Sequence, residues 1–223
     1  MSVEFLWGGR AQPTRGPKPA LTREGIADAA IAIADAEGLA AVSMQRVAAD
    51  LGYTKMSLYR YLPGKTELVA AMLERALQEP PAVSEPWRDG LAEWATALLR
   101  AYEGHAWALE ASTGRRPIGP HEIAWMERAL TVLPPGLTGA ERLDAVATIA
   151  GHVRMIAGQS GGAESDLAAA MGVILRDHAE RYPAVVAAMS DVAARGGADD
   201  AFGFGLSRIL DGLDCLLRER RQA

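Results

Sequence analysis

Cysteine is almost missing from this chain, with Cys215 alone among 223 residues. An internal disulfide is excluded, and so is any paired CxxC metal or redox motif. Cys215 lies between Leu213 and Leu216 in a helical pattern, which favours a small buried hydrophobe over a reactive thiol. No apolar run reaches the roughly 18 residues that a membrane span needs. The N-terminus lacks the layout of a signal peptide, so a cytoplasmic protein with no membrane association is expected. Runs of β-branched residues are missing too, whereas Ala and Leu abound and apolar positions recur at helical spacing, so the expected fold is all-α. HExxH, a glycine-rich phosphate loop and a GxSxG elbow are all absent. The histidines, at 105, 121, 152 and 178, are too dispersed for a linear metal motif. No catalytic residue, metal ligand or cofactor is assigned, and an enzyme is not expected. Folding could still gather His105, His152 and Glu110 around a metal or a metal chelate.

Charge is unevenly placed. Residues 1–77 carry 9 Lys/Arg and 8 Asp/Glu, whereas the remainder carries 14 and 20, so the acidity that makes the whole chain −5 lies in the second part. Arg10, Arg15, Lys18 and Arg23 follow one another with no acid among them, interleaved with Pro13, Gly16, Pro17 and Pro19. Such an irregular basic leader, residues 1–20, either follows phosphates and enters a minor groove or is a solvated tail. Within it Phe5, Leu6 and Trp7 either dock on a neighbour or stay free.

The most informative stretch is SMQRVAADLGYTKMSLYRYL, residues 43–62. Met44, Val47, Ala48 and Leu51 fall at i, i+3, i+4 and i+7, one face of a helix that Ser43 can cap. Gly52 can take the left-handed conformation that ends it. A second helix starts near Thr54, with Leu58 and Leu62 inward and Thr54, Lys55, Met56, Ser57, Tyr59, Arg60 and Tyr61 outward. Ala48, Gly52 and Leu58 supply the small residue, turn glycine and apolar anchor that two steeply crossing helices need. An ordinary helical hairpin would satisfy the same spacing, but the basic, hydroxylated and aromatic outer face points to a helix-turn-helix. Upstream, Thr22 caps a helix to about Ala36 with Gly38 beyond it. Downstream, Pro63 and Gly64 break the chain and a helix over 65–77 buries Leu68, Met72 and Leu73. Pro80, Pro81 and Pro86 then mark a boundary.

Residues 21–73, from Leu21 through Leu73, resemble the N-terminal domain of the tetracycline-repressor (TetR) family from end to end. The marks are Gly38, Ser43, Ala48, Leu51, Gly52, Leu58, Tyr59, Tyr61, Lys65 and Leu68. Tyr61 stands where the family more often has histidine, and Leu62 where it more often has phenylalanine. The resemblance implies a helix-turn-helix DNA-binding domain at 21–78 and a larger helical ligand-binding and dimerisation domain at 79–223. It also implies a ligand-responsive transcriptional regulator, a repressor released from a palindromic double-stranded DNA operator by a small molecule. The DNA-contacting set is Ser43, Gln45, Thr54, Lys55, Met56, Ser57, Tyr59, Arg60, Tyr61 and Lys65. Within it Tyr59, Tyr61 and Lys65 suit phosphate oxygens, Lys55, Ser57 and Arg60 suit base edges, and Met56 suits a thymine methyl.

The second part is more loosely similar. Pro63, Gly64 and Lys65 together with GLSRILDGL at 205–213 make it look most like the subgroup of the tetracycline repressors themselves. Ser84 is expected to cap a helix from about Glu85 to Glu103, followed by helices at 105–112 and 121–133, the last with Trp125 and Met126. Thr138 and Glu141 have capping-box spacing at the head of a helix closed by Gly161 and Gly162. A helical stretch from Ser165 to about Arg195, interrupted before Pro183, precedes a last helix from Asp199 to about Arg220. The resemblance implies that helices 138–160 and 199–220 form a four-helix bundle with a second subunit, making a homodimer. Trp94, Tyr102, Trp107, Trp125 and Met155 are candidates to line an effector cavity, with Glu110, His121, His152 and Gln159 as polar anchors. The effector itself is unknown, and a flat or aromatic one is mildly favoured. The rival reading is a helical protein-interaction module whose Tyr59 face meets a partner helix.

Overall fold

The structure is a computed structural model that describes residues 4–8, 21–159, 163–195 and 200–222. The expectations for the basic segment beyond Gly8, for Gly161 and Gly162, and for Asp199 lie outside those residues. Every regular element among the described residues is helical.

A short α1 (Glu4–Trp7) is followed by α2 (Arg23–Glu37). Thr22 caps α2 as expected, its side chain accepting from the Gly25 N–H at 3.0 Å, and Gly38 ends it at φ +84°. After a 3-10 turn at Leu39–Ala41 come α3 (Met44–Asp50), α4 (Lys55–Tyr59) and α5 (Lys65–Leu77). Ser43 caps α3 through the Arg46 N–H. At its other end the Tyr53 N–H reaches Ala48 O and the Gly52 N–H reaches Ala49 O, with Gly52 at φ +73°. That crossed pair is a Schellman cap, which satisfies two carbonyls left over at the helix end and needs a residue that tolerates positive φ. Thr54 then caps α4, accepting from the Ser57 N–H. The regular helix is shorter than the sequence suggests, because Arg60 and Tyr61 belong to the turn that leads into Pro63, and the residue before a proline is steered away from helix.

Leu58 and Leu62 are fully buried, as are Leu68, Met72 and Leu73 of α5. Each contributes roughly 1.5–3 kcal/mol by leaving water. α5 packs along α2, so α2 to α5 form one helical module.

The second part comprises α6 (Trp87–Gly104), α7 (Trp107–Ala111), α8 (Pro120–Val132), α9 (Gly139–Gln159), α10 (Ala163–His178), α11 (Pro183–Arg195) and α12 (Ala201–Gln222). α6 lies against α8 and α9, and α12 packs on α9. Thr138 and Glu141 form the expected capping box: the Thr138 N–H donates to Glu141 Oε2 at 2.8 Å and the Glu141 N–H to Thr138 Oγ1 at 3.3 Å. Two expectations are corrected. Ser84 does not cap α6, which begins at Trp87 after Pro86, because the Ser84 N–H turns back to donate to Glu93 Oε2 at 2.7 Å. Cys215 is exposed rather than buried, because α12 turns the stripe Leu206, Leu210 and Leu217 inward and Cys215 falls outside it.

The buried apolar residues make one continuous cluster from Leu21 to Leu210. α5 runs through its middle, contributing to the contacts with α2 on one side and with α6, α7 and α8 on the other.

Candidate nucleic-acid interface and effector region

At the tip made by α3 and α4, the sequence-nominated residues divide by what their polar atoms already do. Ser43 and Thr54 spend a side-chain oxygen on capping, and the Thr54 and Ser57 hydroxyls lie 3.0 Å apart. Gln45, Lys55, Met56, Tyr59, Arg60 and Lys65 are exposed. Met56 stands out at 71% exposure for an apolar side chain. Lys55 Nζ sits 5.5 Å from the centre of the Tyr59 ring, a cation–π contact that holds both side chains over the same surface. Tyr61 departs from the expected outer side: it is half-buried against the core, so only part of the ring faces outward. Arg46, also exposed, is engaged by Glu37 through two hydrogen bonds of 2.7 and 3.2 Å. That guanidinium holds the Glu37 carboxyl below its usual value.

The effector candidates do not share one fate. Trp94, Tyr102, Trp107 and Trp125 are buried in the common core, and Trp94 meets Trp125 edge to face with ring centres 6.0 Å apart. Their polar atoms are spent internally. Trp94 Nε1 donates to Trp125 O at 2.9 Å, and Trp125 Nε1 to the carbonyls of Leu77 and Gln78 at 3.2 Å. The Tyr102 hydroxyl accepts from Arg154 Nε at 3.4 Å. Trp107 Nε1 donates to Asp35 Oδ1 at 2.7 Å, and His105 Nδ1 reaches the same oxygen at 2.8 Å. His121 is half-buried and faces Glu74, while His152 Nε2 reaches Phe202 O at 3.0 Å and stacks on the Phe202 ring. Glu110, Met155 and Gln159 are exposed instead of joining those aromatics. Among the described residues no three His, Cys, Asp or Glu side chains gather to hold a metal ion. No helix among them is long and apolar enough to cross a membrane.

What sequence reasoning missed is a set of polar ties between the elements α1 to α5 and the rest. Asp35 of α2 takes His105 and Trp107, Glu74 of α5 takes the head of α8, and Trp7 Nε1 of α1 donates to Ile118 O at 2.9 Å. Phe5 O accepts from Arg23 Nη1 at 2.9 Å, so the aromatic leader docks rather than staying free. Asp35 and Glu74 each carried a signal: an acid in the last turn of a helix opposes the helix dipole and calls for another partner.

Comparison with known proteins fits this architecture. Residues 26–72 match the family model described as bacterial regulatory proteins, tetR family, and residues 79–217 match the tetracyclin repressor-like C-terminal domain. The HTH-type transcriptional repressor DrrR1 of Streptomyces coeruleorubidus is 42% identical over 242 aligned residues, covering 99% of this chain and 87% of that protein. Among solved structures, ActR of Streptomyces coelicolor in complex with (S)-DNPA superposes with a TM-score of 0.72 at 26% identity, covering 91% of this chain and 100% of that one. The same protein in complex with actinorhodin gives 0.72 at 27% identity, covering 88% and 96%. The matched regions meet near the end of α5, where the polar ties lie, and the chain belongs to the TetR family of ligand-responsive, DNA-binding transcriptional regulators, which are not enzymes.

Proposed function

We propose that the chain is a dimeric repressor that holds a palindromic operator until a small effector releases it. The observation that carries this reading is the α4 surface, where Lys55, Met56, Tyr59 and Arg60 are exposed together on a short helix and turn whose head Thr54 caps through the Ser57 N–H. Lys55 and Arg60 read base edges, Met56 a thymine methyl, and Tyr59 and Lys65 grip phosphate. Ser43 and Thr54 serve as caps first, and Gln45 and Ser57 flank the contact.

The dimer forms through α9 and α12. Its support is the apolar surface those helices leave open, with Leu143 at 51% and Met155 at 54% exposure on α9 and Phe204 at 66% on α12. Met155 therefore moves from the effector set to the subunit interface. Two α4 helices must meet successive major grooves roughly 34–36 Å apart, so a second copy is required. The effector is a flat aromatic molecule held near Trp94, Tyr102, Trp107 and Trp125. Its support is that indole-rich core together with the ligand-bound state of the actinorhodin-binding relative. Such a regulator acts in the cytoplasm.

Fluorescence anisotropy with labelled DNA from upstream of its own gene, scrambled competitor and a salt series tests the reading. Saturable binding by two subunits per site, falling steeply with salt, is expected. Addition of actinorhodin then probes release. Complete lack of salt-sensitive binding to any duplex would replace this reading with the protein-interaction module.

A further inference from the structure

The first turn of α8 has backbone N–H groups with no partner inside the helix, as every helix start does. Its own flanking residue offers no cap, because Gly119 stands at that position. The cap comes from another helix. Glu74 of α5 points its carboxylate at the α8 head, and Oε1 accepts the His121 N–H at 2.8 Å. The His121 ring closes the same junction from the side chain. Nδ1 lies 2.8 Å from Glu74 O and 3.0 Å from Oε1, and since a carbonyl only accepts, Nδ1 carries the proton.

Gly119 is fitted to this arrangement by space and not by backbone conformation. Its φ of −97° suits any residue, yet a Cβ there would stand 2.6 Å from Glu74 Cδ and overlap Oε2. The Glu74 side chain is 13% exposed, and Oε2 is buried with no hydrogen-bond partner among the described residues. Burial pushes the carboxyl above its ordinary value, while the His121 N–H opposes that shift. Around it, Glu122 is held by Nη1 and Nη2 of Arg116, and the loop that presents Gly119 is pinned by Trp7 at Ile118. One turn farther along, Trp125 Nε1 donates to Leu77 O and Gln78 O, so α8 is attached to the end of α5 at two points. Glu74 falls between the two matched family regions, which end at 72 and resume at 79.

We propose that Glu74 is the positioning residue through which the effector half and the DNA-binding half sense one another: by capping α8 from α5, it makes the α8 head and the α5 C-terminus move as one body. This rests on the DNA-binding reading and deepens it. A buried carboxylate with one unpaired oxygen is a poor choice for static packing.

Because coupling between two sites is reciprocal, DNA can be used to read it without any effector. The full-length protein selects its duplex from random-sequence DNA, and hydrogen–deuterium exchange is followed with and without that duplex. In the wild type, bound duplex is expected to slow exchange at the His121 and Glu122 amides by about fivefold or more, the low end of ordinary coupling. In Glu74→Ala and in Gly119→Ala, which evicts the carboxylate without altering Glu74, duplex still binds and the slowing disappears. Glu74→Gln keeps one acceptor and retains part of the response. Should Glu74→Ala fail to fold, Gly119→Ala and Glu74→Gln carry the test. Slowing that survives in the folded variants, or is absent from the wild type, overturns the proposal. If no duplex is enriched, the DNA-binding reading itself fails and takes the proposal with it.

Discussion

At the α3–α4 tip, polar side chains bond within nine residues of themselves or stay open to solvent; at the seam of α2, α5, α7 and α8 they bond across 47 to 72 residues of sequence. Local caps make the tip stiff without using up its outward groups, which leaves Lys55, Met56 and Arg60 for an outside partner. The seam does the reverse, satisfying each indole and imidazole internally and thereby joining two halves that are matched by separate family models. On the proposed function, a side chain facing outward serves recognition, and one bonded across the seam serves transmission.

The largest effect expected from breaking this contrast is at Leu58. It is fully buried under a five-residue helix that cannot stand alone, so Leu58→Ala should cost about 2–5 kcal/mol and abolish operator binding. Thermal unfolding with an anisotropy titration checks it, and unchanged operator affinity would mean that the tip is not the reading head. Next in size is a paired test. Arg60→Ala should weaken specific binding by about 1–3 kcal/mol while stability and the dimer stay intact. Trp107→Phe, which removes the N–H given to Asp35, should lower stability by about 1 kcal/mol with operator affinity little changed. If Arg60→Ala instead dissociates the dimer, or the two variants exchange phenotypes, the division between tip and seam is wrong.

Legibility follows the same division. Thr22, Ser43, Gly52, Thr54 and the Thr138–Glu141 box could be read directly because each acts within a few residues, where spacing alone decides geometry. Ser84 failed by the same standard, since its helix start was taken over by Pro86 and its N–H by Glu93. The aromatic residues of the second part were recognisable as core, but whether they line a cavity or lock a junction depends on partners 31 to 72 positions away. Nothing near Glu74 in the sequence hints at His121, and Cys215 looked buried because periodicity cannot say which stripe of a two-sided helix faces inward.

A smaller effect separates direct reading from simple grip. Met56 presents an exposed apolar side chain on α4, and the apolar group that a base edge offers in a major groove is the thymine methyl. Replacing one thymine of the selected site by deoxyuridine removes that methyl alone, so affinity should fall by about 0.8 kcal/mol at one position. Met56→Ala should bind both duplexes equally. Equal penalties at every thymine, or a penalty that persists in Met56→Ala, would assign Met56 to general packing against the backbone.

The smallest expected effect lies far from both regions, where Glu141 at the head of α9 meets Arg220 near the end of α12. Arg220 donates to the two carboxylate oxygens at 2.8 and 2.5 Å and to Gly136 O at 2.9 Å. Arg220 first, and then the Thr138 N–H and hydroxyl, hold the Glu141 carboxyl down at about 2 against an ordinary 4.5. A carboxylate with a lowered folded-state value stabilises the fold above its unfolded value and loses that contribution as pH falls through the lowered one. Wild type and Glu141→Gln should therefore differ in Tm at pH 6, and the gap should close between about pH 4.5 and 2. Because the pair sits at the surface, added salt should narrow the gap at pH 6 as well. A gap that ignores both pH and salt would show that the capping box alone, and not the ion pair, fixes where α9 begins against α12.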